Sequence, residues 1–177
     1  MQDQVVMALA ELFARQRRLG GIPLVDHDAD FASPAEQLPA RGGRVGWQPW
    51  RLPEPGHFDN IATALAMPVH PDISAVFGHY YAGNVPGCFK GLFLTLLQPW
   101  NKQDFERLQQ NQIAHQLMLQ KLKLPATWFL ATCRDEQRLV TLDNASGEVL
   151  LERLGKGPIG VLAPNLAQFL RRLEPCG

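Results

Sequence analysis

Phe89-Lys-Gly-Leu-Phe-Leu-Thr-Leu-Leu97, then Gln98-Pro-Trp-Asn101, a helical run to Leu124, Pro125, and Thr127-Trp-Phe-Leu-Ala-Thr132 decide the fold. Residues 89–97 alternate with apolar side chains on both faces. Leu92, Leu94 and Leu96 point one way, and Phe89, Phe93 and Leu97 the other. A strand of that kind needs cover on both sides, so it is expected inside a sheet. Pro99 stops it, because proline has no N–H for the ladder. Asn101 suits a helix N-cap, and Asp104 and Glu106 suit the positive helix start. Pro125 closes the helix, and residues 127–132 form a second buried strand.

On that helix, Phe105, Leu108, His115, Leu119 and Leu122 share one face, and Ile113, Leu117 and Leu124 a second. Gln103, Gln109, Gln110, Gln112, Gln116 and Gln120 are expected to edge these stripes. His115 lies on the apolar stripe, where a core histidine with a local partner is the expected role rather than a catalytic one.

Working outward, residues 3–18 predict a helix with Val5, Ala8, Leu9, Leu12 and Phe13 inward, ended by Gly20-Gly21. From Leu19 to Ala40 there is no Lys or Arg, while Asp26, Asp28, Asp30 and Glu36 appear among Gly, Pro and Ser. This reads as an acidic loop. It lacks the offsets of a calcium-binding loop. An acidic surface for a basic partner and a merely solvated loop both stay open. Residues 45–48 predict a strand. Asp59 is expected to cap a helix over 60–66, and Asp72 the next, in which Ile73, Val76, Phe77 and Tyr80 form a stripe ended by Gly83. His70, Asp72 and His79 do not have the spacing of a metal site.

Residues 139–142 and 149–151 predict two strands joined by Asp143-Asn-Ala-Ser-Gly147, a five-residue hairpin loop. Residues 155–158 read as a loop, and a last helix starts near Pro164 with Leu166, Phe169, Leu170 and Leu173 inward. Helices come early and strands late. The expected fold is therefore α+β, with helices packed on a largely antiparallel or mixed central sheet.

The chain of 177 residues is 46% hydrophobic, which suits one globular domain over 1–177. Lys+Arg and Asp+Glu both total 17, so no basic surplus points to nucleic acid. Cys88, Cys133 and Cys176 are odd in number and far apart, and read as free thiols of a reducing cytosol. No signal-peptide pattern opens the sequence, and no apolar run is long enough to span a bilayer. Membrane contact is thus expected only through a partner. No nucleophile elbow, phosphate-binding glycine loop or metal-ligand cluster appears, so neither enzyme activity nor a cofactor or metal is expected.

Leu94-Thr-Leu-Leu-Gln-Pro-Trp100, Asp104-Phe-Glu-Arg107, Gln120-Lys-Leu-Lys-Leu-Pro125, Phe129-Leu-Ala-Thr132, Asn144-Ala-Ser-Gly-Glu148 and Leu162-Ala-Pro-Asn-Leu-Ala-Gln-Phe-Leu170 together resemble the Syd family of SecY-interacting proteins, of the SMI1/KNR4-like (SUKH) group. Trp47-Gln-Pro49 and Tyr81-Ala-Gly83 fit too, and the resemblance covers roughly residues 44–175. It implies the SUKH α+β fold. It implies binding to the cytoplasmic side of SecY, the translocase channel subunit, as a regulator or quality-control factor. The location implied is the cytoplasm, loosely attached to the bacterial inner membrane. The positive-inside rule makes the SecY loops basic, so the expected docking surface is acidic and concave. Its candidate residues here are Asp26, Asp28, Asp30 and Glu36, with Asp59 and Asp72 behind them. The wider group also suggests a toxin-neutralising immunity protein as the alternative.

Overall fold

The computed structural model describes residues 2–176. Helix α1 (Gln2–Gly20) buries Val5, Ala8, Leu9, Leu12 and Phe13, the stripe its spacing predicts. Gly21, at φ 77°, lets the chain turn away there. The next segment is not all loop. It holds β1 (Leu24–Asp26), a 3-10 turn (Ala29–Phe31) and β2 (Glu36–Arg41), which join β3 (Arg44–Trp47) in a small antiparallel sheet of order β1-β3-β2. Most of β2 is exposed, so no buried alternation announces it.

Strand β4 (Trp50–Arg51), helices α2 (Asp59–Leu65) and α3 (Pro71–Phe77), and strand β5 (Tyr80–Tyr81) follow. Neither aspartate caps as expected. Phe58 is the N-cap of α2, without a side-chain bond, and Asp59 sits in the first turn. Helix α3 is capped by His70, whose Nδ1 accepts the Asp72 N–H at 3.1 Å. Helix α3 also stops at Phe77 rather than continuing to Gly83.

The stretch 89–97 is not one strand. Lys90 and Gly91, at φ 47° and 81°, form a two-residue turn between β6 (Val85–Phe89) and β7 (Leu92–Leu96). The apolar alternation runs straight through this turn, which hides it. Strand β7 lies inside the sheet as expected, but only Leu94 and Leu96 are buried, and Phe93 remains 40% exposed.

Helix α4 (Lys102–Leu122) starts at Asn101, whose Oδ1 accepts the Asp104 N–H at 2.8 Å. It leads into β8 (Thr127–Cys133), β9 (Arg138–Asp143), β10 (Val149–Arg153), β11 (Gly157–Ala163) and helix α5 (Leu166–Arg172). The 143–147 turn joins β9 to β10 as predicted. Strand β11 was not expected. Its middle residues are exposed, and its glycines and proline read as loop. Asn165, not Pro164, starts α5 by accepting the Gln168 N–H.

The main sheet is antiparallel, in the order β11-β10-β9-β8-β7-β6. One face carries Leu94, Leu96, Trp128, Leu130, Val140 and Leu142 into a core completed by α1, α3 and α5. Helix α4 crosses the other face at β8. Its buried residues are Gln109, Gln112, His115, Gln116 and Leu119, whereas Leu117 and Leu122 are exposed. Gln109, Gln112 and Gln116 are thus part of the inner face rather than its border, while Gln103, Gln110 and Gln120 are exposed. The reason lies in the sheet. Strand β7 pairs with β8 at Ala131–Cys133, and a last bond runs from Leu97 N–H to Leu130 C=O at 3.0 Å. Residues 127–129 therefore lack a strand on that side. Gln112 replaces it, donating to Phe129 C=O at 2.8 Å and accepting from Phe129 N–H at 3.2 Å. Gln116 donates to Thr127 C=O. Buried backbone groups need such partners.

The cysteines also depart from expectation. Cys88 and Cys176 are bonded to each other, and only Cys133 is free, buried on β8.

Candidate partner-binding surface

The six acidic candidates divide. Glu36 points inward, its carboxylate 2% exposed; Oε1 accepts the Ser33 N–H at 2.8 Å, and Oε2 lies 3.0 Å from His27 Nδ1. Asp72 is also buried, at the start of α3. Both are parts of the fold, and neither presents charge to a partner. Asp26, Asp28, Asp30 and Asp59 are exposed. Asp28 accepts the Asp30 N–H at 2.9 Å and so shapes the 3-10 turn. Asp26 lies 3.9 Å from Arg44, and Asp59 3.6 Å from His57. Such exposed pairs hold little energy, so these carboxylates stay available.

Both exposed segments attach to the first turns of α4. On one flank, Trp100 Nε1–H donates to Phe31 C=O at 3.0 Å and Asn101 Nδ2–H to Ala32 C=O at 2.9 Å. The Arg107 guanidinium lies 5.5 Å from the centre of the Phe31 ring. On the other flank, Phe58 packs edge-on against Phe105, and Asn60 donates to Gln109 Oε1 at 3.1 Å. Glu106 is exposed on the helix between these flanks.

Sequence reasoning missed a neighbour of this region. Trp50 and Tyr81 stack with ring centres 5.9 Å apart and planes 8° from parallel. Trp50 remains 37% exposed. The Tyr81 phenol is pushed up from its ordinary pKa, first by burial and then by Glu106. A carboxylate and an open aromatic face suit a cationic side chain. No local signal joins the two aromatics. Only the β4–β5 pairing brings them together.

A family model described as Syd protein (SUKH-2) matches residues 4–175. The chain belongs to the Syd family. It is 50% identical to Protein Syd of Tolumonas auensis, over 99% of this chain and 92% of that one. It is 46% identical to Protein Syd of Aeromonas hydrophila, over 98% of both. It is 37% identical to Protein Syd of Pectobacterium carotovorum, over 99% and 98%. The family match therefore takes in α1 and the small sheet as well as the stretch from residue 44 onward.

The main grooves among the described residues of this Syd-family chain do not gather the acidic candidates. The groove between α4 and the sheet, about 540 Å³, is mainly apolar and sets Glu136 against Arg138. A second, about 490 Å³, lies between α1 and β3 and carries Arg17 and Arg18 with no carboxylate. Asp72 lines a smaller depression of about 230 Å³ with Gln4, Asn165, Gln168 and Arg171. None of these three depressions is lined by Asp26, Asp28, Asp30 or Asp59, which stand at the end of β1, at the 3-10 turn and in the first turn of α2.

His115 is held in the core of this Syd-family fold. Thr127 Oγ1–H donates to the buried Glu152 carboxylate at 2.7 Å, so the hydroxyl accepts from His115 Nε2–H at 3.2 Å. Burial lowers the His115 pKa, against a smaller upward pull from Glu152. Among the described residues, no group of three or more His, Cys, Asp or Glu converges as metal ligands, and no helix is long and apolar enough to cross a membrane.

Proposed function

We propose that this chain binds the basic cytoplasmic segments of SecY and acts, without catalysis or cofactor, as a regulator or quality-control factor of the protein translocase. It acts as a single domain over 1–177, from the cytoplasm and loosely attached to the inner membrane through SecY. The observation that carries this reading is a surface flanking the start of α4 in a Syd-family fold that holds exposed Asp26, Asp28, Asp30, Asp59 and Glu106 and the stacked Trp50 and Tyr81, with Arg44, Arg51, Lys102 and Arg107 interspersed. SecY loops facing the cytoplasm carry excess Lys and Arg. Opposite charges speed encounter and reject acidic competitors. The aromatic pair offers a face on which a Lys or Arg side chain can rest. The carboxylates are exposed to solvent, so the strength of the attraction depends on ionic strength.

The test is capture of detergent-solubilised translocase by immobilised protein, with and without the other channel subunits. Wild-type protein is expected to retain SecY at low salt, more so when the other subunits are absent. Asp26→Asn/Asp28→Asn/Asp30→Asn weakens capture and flattens its salt dependence. Unchanged capture by this variant and by Asp59→Asn/Glu106→Gln rules out the surface. No capture by wild type under either condition removes SecY as the partner and leaves the toxin-neutralising alternative.

A further inference from the structure

Strand β6 is the last strand of the main sheet, and a C-terminal segment covers its outer edge. Cys88 N–H donates to Glu174 C=O at 2.7 Å, and Glu174 N–H to Cys88 C=O at 3.1 Å. This is a single ladder pair. Cys176 is bonded to Cys88, with Cα atoms 5.3 Å apart. Beside the bridge is a depression of about 290 Å³, lined by Pro86, Phe93, Leu94, Thr95, Arg134 and Cys176, with the largely buried thiol Cys133 at its floor. The Arg134 guanidinium lies 4.0 Å from the Phe93 ring centre, which places its charge in that depression. A disulfide sulfur, an opening to solvent and a cation thus meet in one place.

We propose that the Cys88–Cys176 bridge is a thiol-exchange site for a small anionic thiol of the glutathione class, and that its opening uncovers edge strand β6. The incoming thiolate attacks Cys176 Sγ. A bond forms between the two sulfurs, the Cys88–Cys176 bond breaks, and the electron pair leaves on Cys88 Sγ, which takes a proton from water. A second thiolate attacks the mixed disulfide and releases the small-molecule disulfide. Cys176 then takes a proton and is a thiol. Two electrons have passed from the small thiols to the bridge, and the small disulfide is the oxidant for the reverse reaction. The Arg134 charge attracts a thiol that carries carboxylates and repels one that carries an ammonium. Once the bridge is open, one ladder pair must hold residues 174–176, which follow the buried Leu173, against the entropy of their release. These terms are of similar size, so the segment leaves the edge much of the time. An uncovered edge presents unpaired backbone groups to any other strand.

The experiment uses full-length oxidised protein with glutathione or cysteamine, a cationic thiol. Alkylation and mass spectrometry follow bridge opening, and hydrogen exchange follows the Cys88 amide. Arg134→Gln is expected to lower the glutathione-to-cysteamine rate ratio by about three- to fivefold, while Arg134→Lys keeps it. Opening is expected to speed Cys88 amide exchange by at least about tenfold, since its partner is then only part-time. Cys176→Ser is expected to exchange fast from the outset and to ignore added thiol. Free Cys88 and Cys176 thiols in protein equilibrated with the small disulfide overturn the proposal. So does a rate ratio untouched by Arg134→Gln. A Cys88 amide as protected in the reduced and Cys176→Ser proteins as in the oxidised protein overturns the uncovering of the edge.

Discussion

Replacing Gln112 by Leu tests the central claim about α4, that its amides complete the open side of β8. Gln112 is fully buried and bonds both the N–H and the C=O of Phe129. Leucine fills similar space, excludes water and offers no partner. Two orphaned backbone groups cost about 1–3 kcal/mol each. The apolar side chain recovers about 1–2 kcal/mol through burial. The net loss is about 1–4 kcal/mol, against a total stability of about 5–15 kcal/mol. With a urea m-value of about 2 kcal/mol/M, the midpoint falls by about 0.5–2 M. Urea unfolding followed by circular dichroism and by tryptophan fluorescence checks this, with Gln110→Leu on the exposed face as control. Gln112→Glu adds a signature. It keeps an acceptor for Phe129 N–H but sets a carboxylate against Phe129 C=O. Its deficit relative to wild type should shrink on acidification, when the protonated carboxyl can donate again. If Gln112→Leu costs no more than Gln110→Leu, β8 does not depend on these bonds.

Three further outcomes are expected. His115 has a folded pKa lowered chiefly by burial, so the unfolded chain binds more protons just below the ordinary histidine pKa of about 6.5. The stability due to the neutral ring is complete above that pH and is lost as pH falls through the folded value. His115→Leu should flatten this part of a stability–pH curve, leaving the contribution of His79, also lowered by burial. Gly83→Ala would set a Cβ 2.5 Å from Trp47 Nε1, and thermal unfolding should show a loss of about 1–3 kcal/mol, whereas Gly20→Ala, with nothing within 4 Å, should be tolerated. Trp50→Ala should weaken SecY capture while Trp50→Phe retains most of it, since the open ring face rather than the indole N–H carries the contact; equal capture by both variants in a pull-down removes the aromatic pair from the surface.

The parts of the fold legible in the sequence are those in which burial follows a single period. Helix α1, the Asn101 cap, β8, β9, β10 and the inner stripe of α5 are of that kind. Three sorts of element were hidden. Strands β2 and β11 are exposed along most of their length, so their residues carry no buried alternation. The Lys90-Gly91 turn interrupts an apolar run without changing its period. The buried glutamines of α4 satisfy backbone that only the divergence of β7 from β8 exposes, a fact of tertiary structure.

The surface was legible as charge but not as shape. Four of the six acidic candidates are exposed, yet acidity alone did not distinguish Asp28, at an exposed turn, from Glu36, four residues after Ala32. The difference is a local accounting of donors. Glu36 faces the Ser33 N–H and the His27 ring and is drawn inward. Asp28 meets only the Asp30 N–H, which one oxygen satisfies while the other stays in water. A carboxylate with its hydrogen bonds filled by the fold has little left for a partner, and its removal costs stability instead. Glu36→Gln and Asp28→Asn should therefore separate cleanly. The first should lower the unfolding midpoint and leave the salt dependence of capture intact. The second should leave the midpoint nearly unchanged and reduce that dependence. A reversed pattern would mean that the charge on this segment works through folding rather than through encounter.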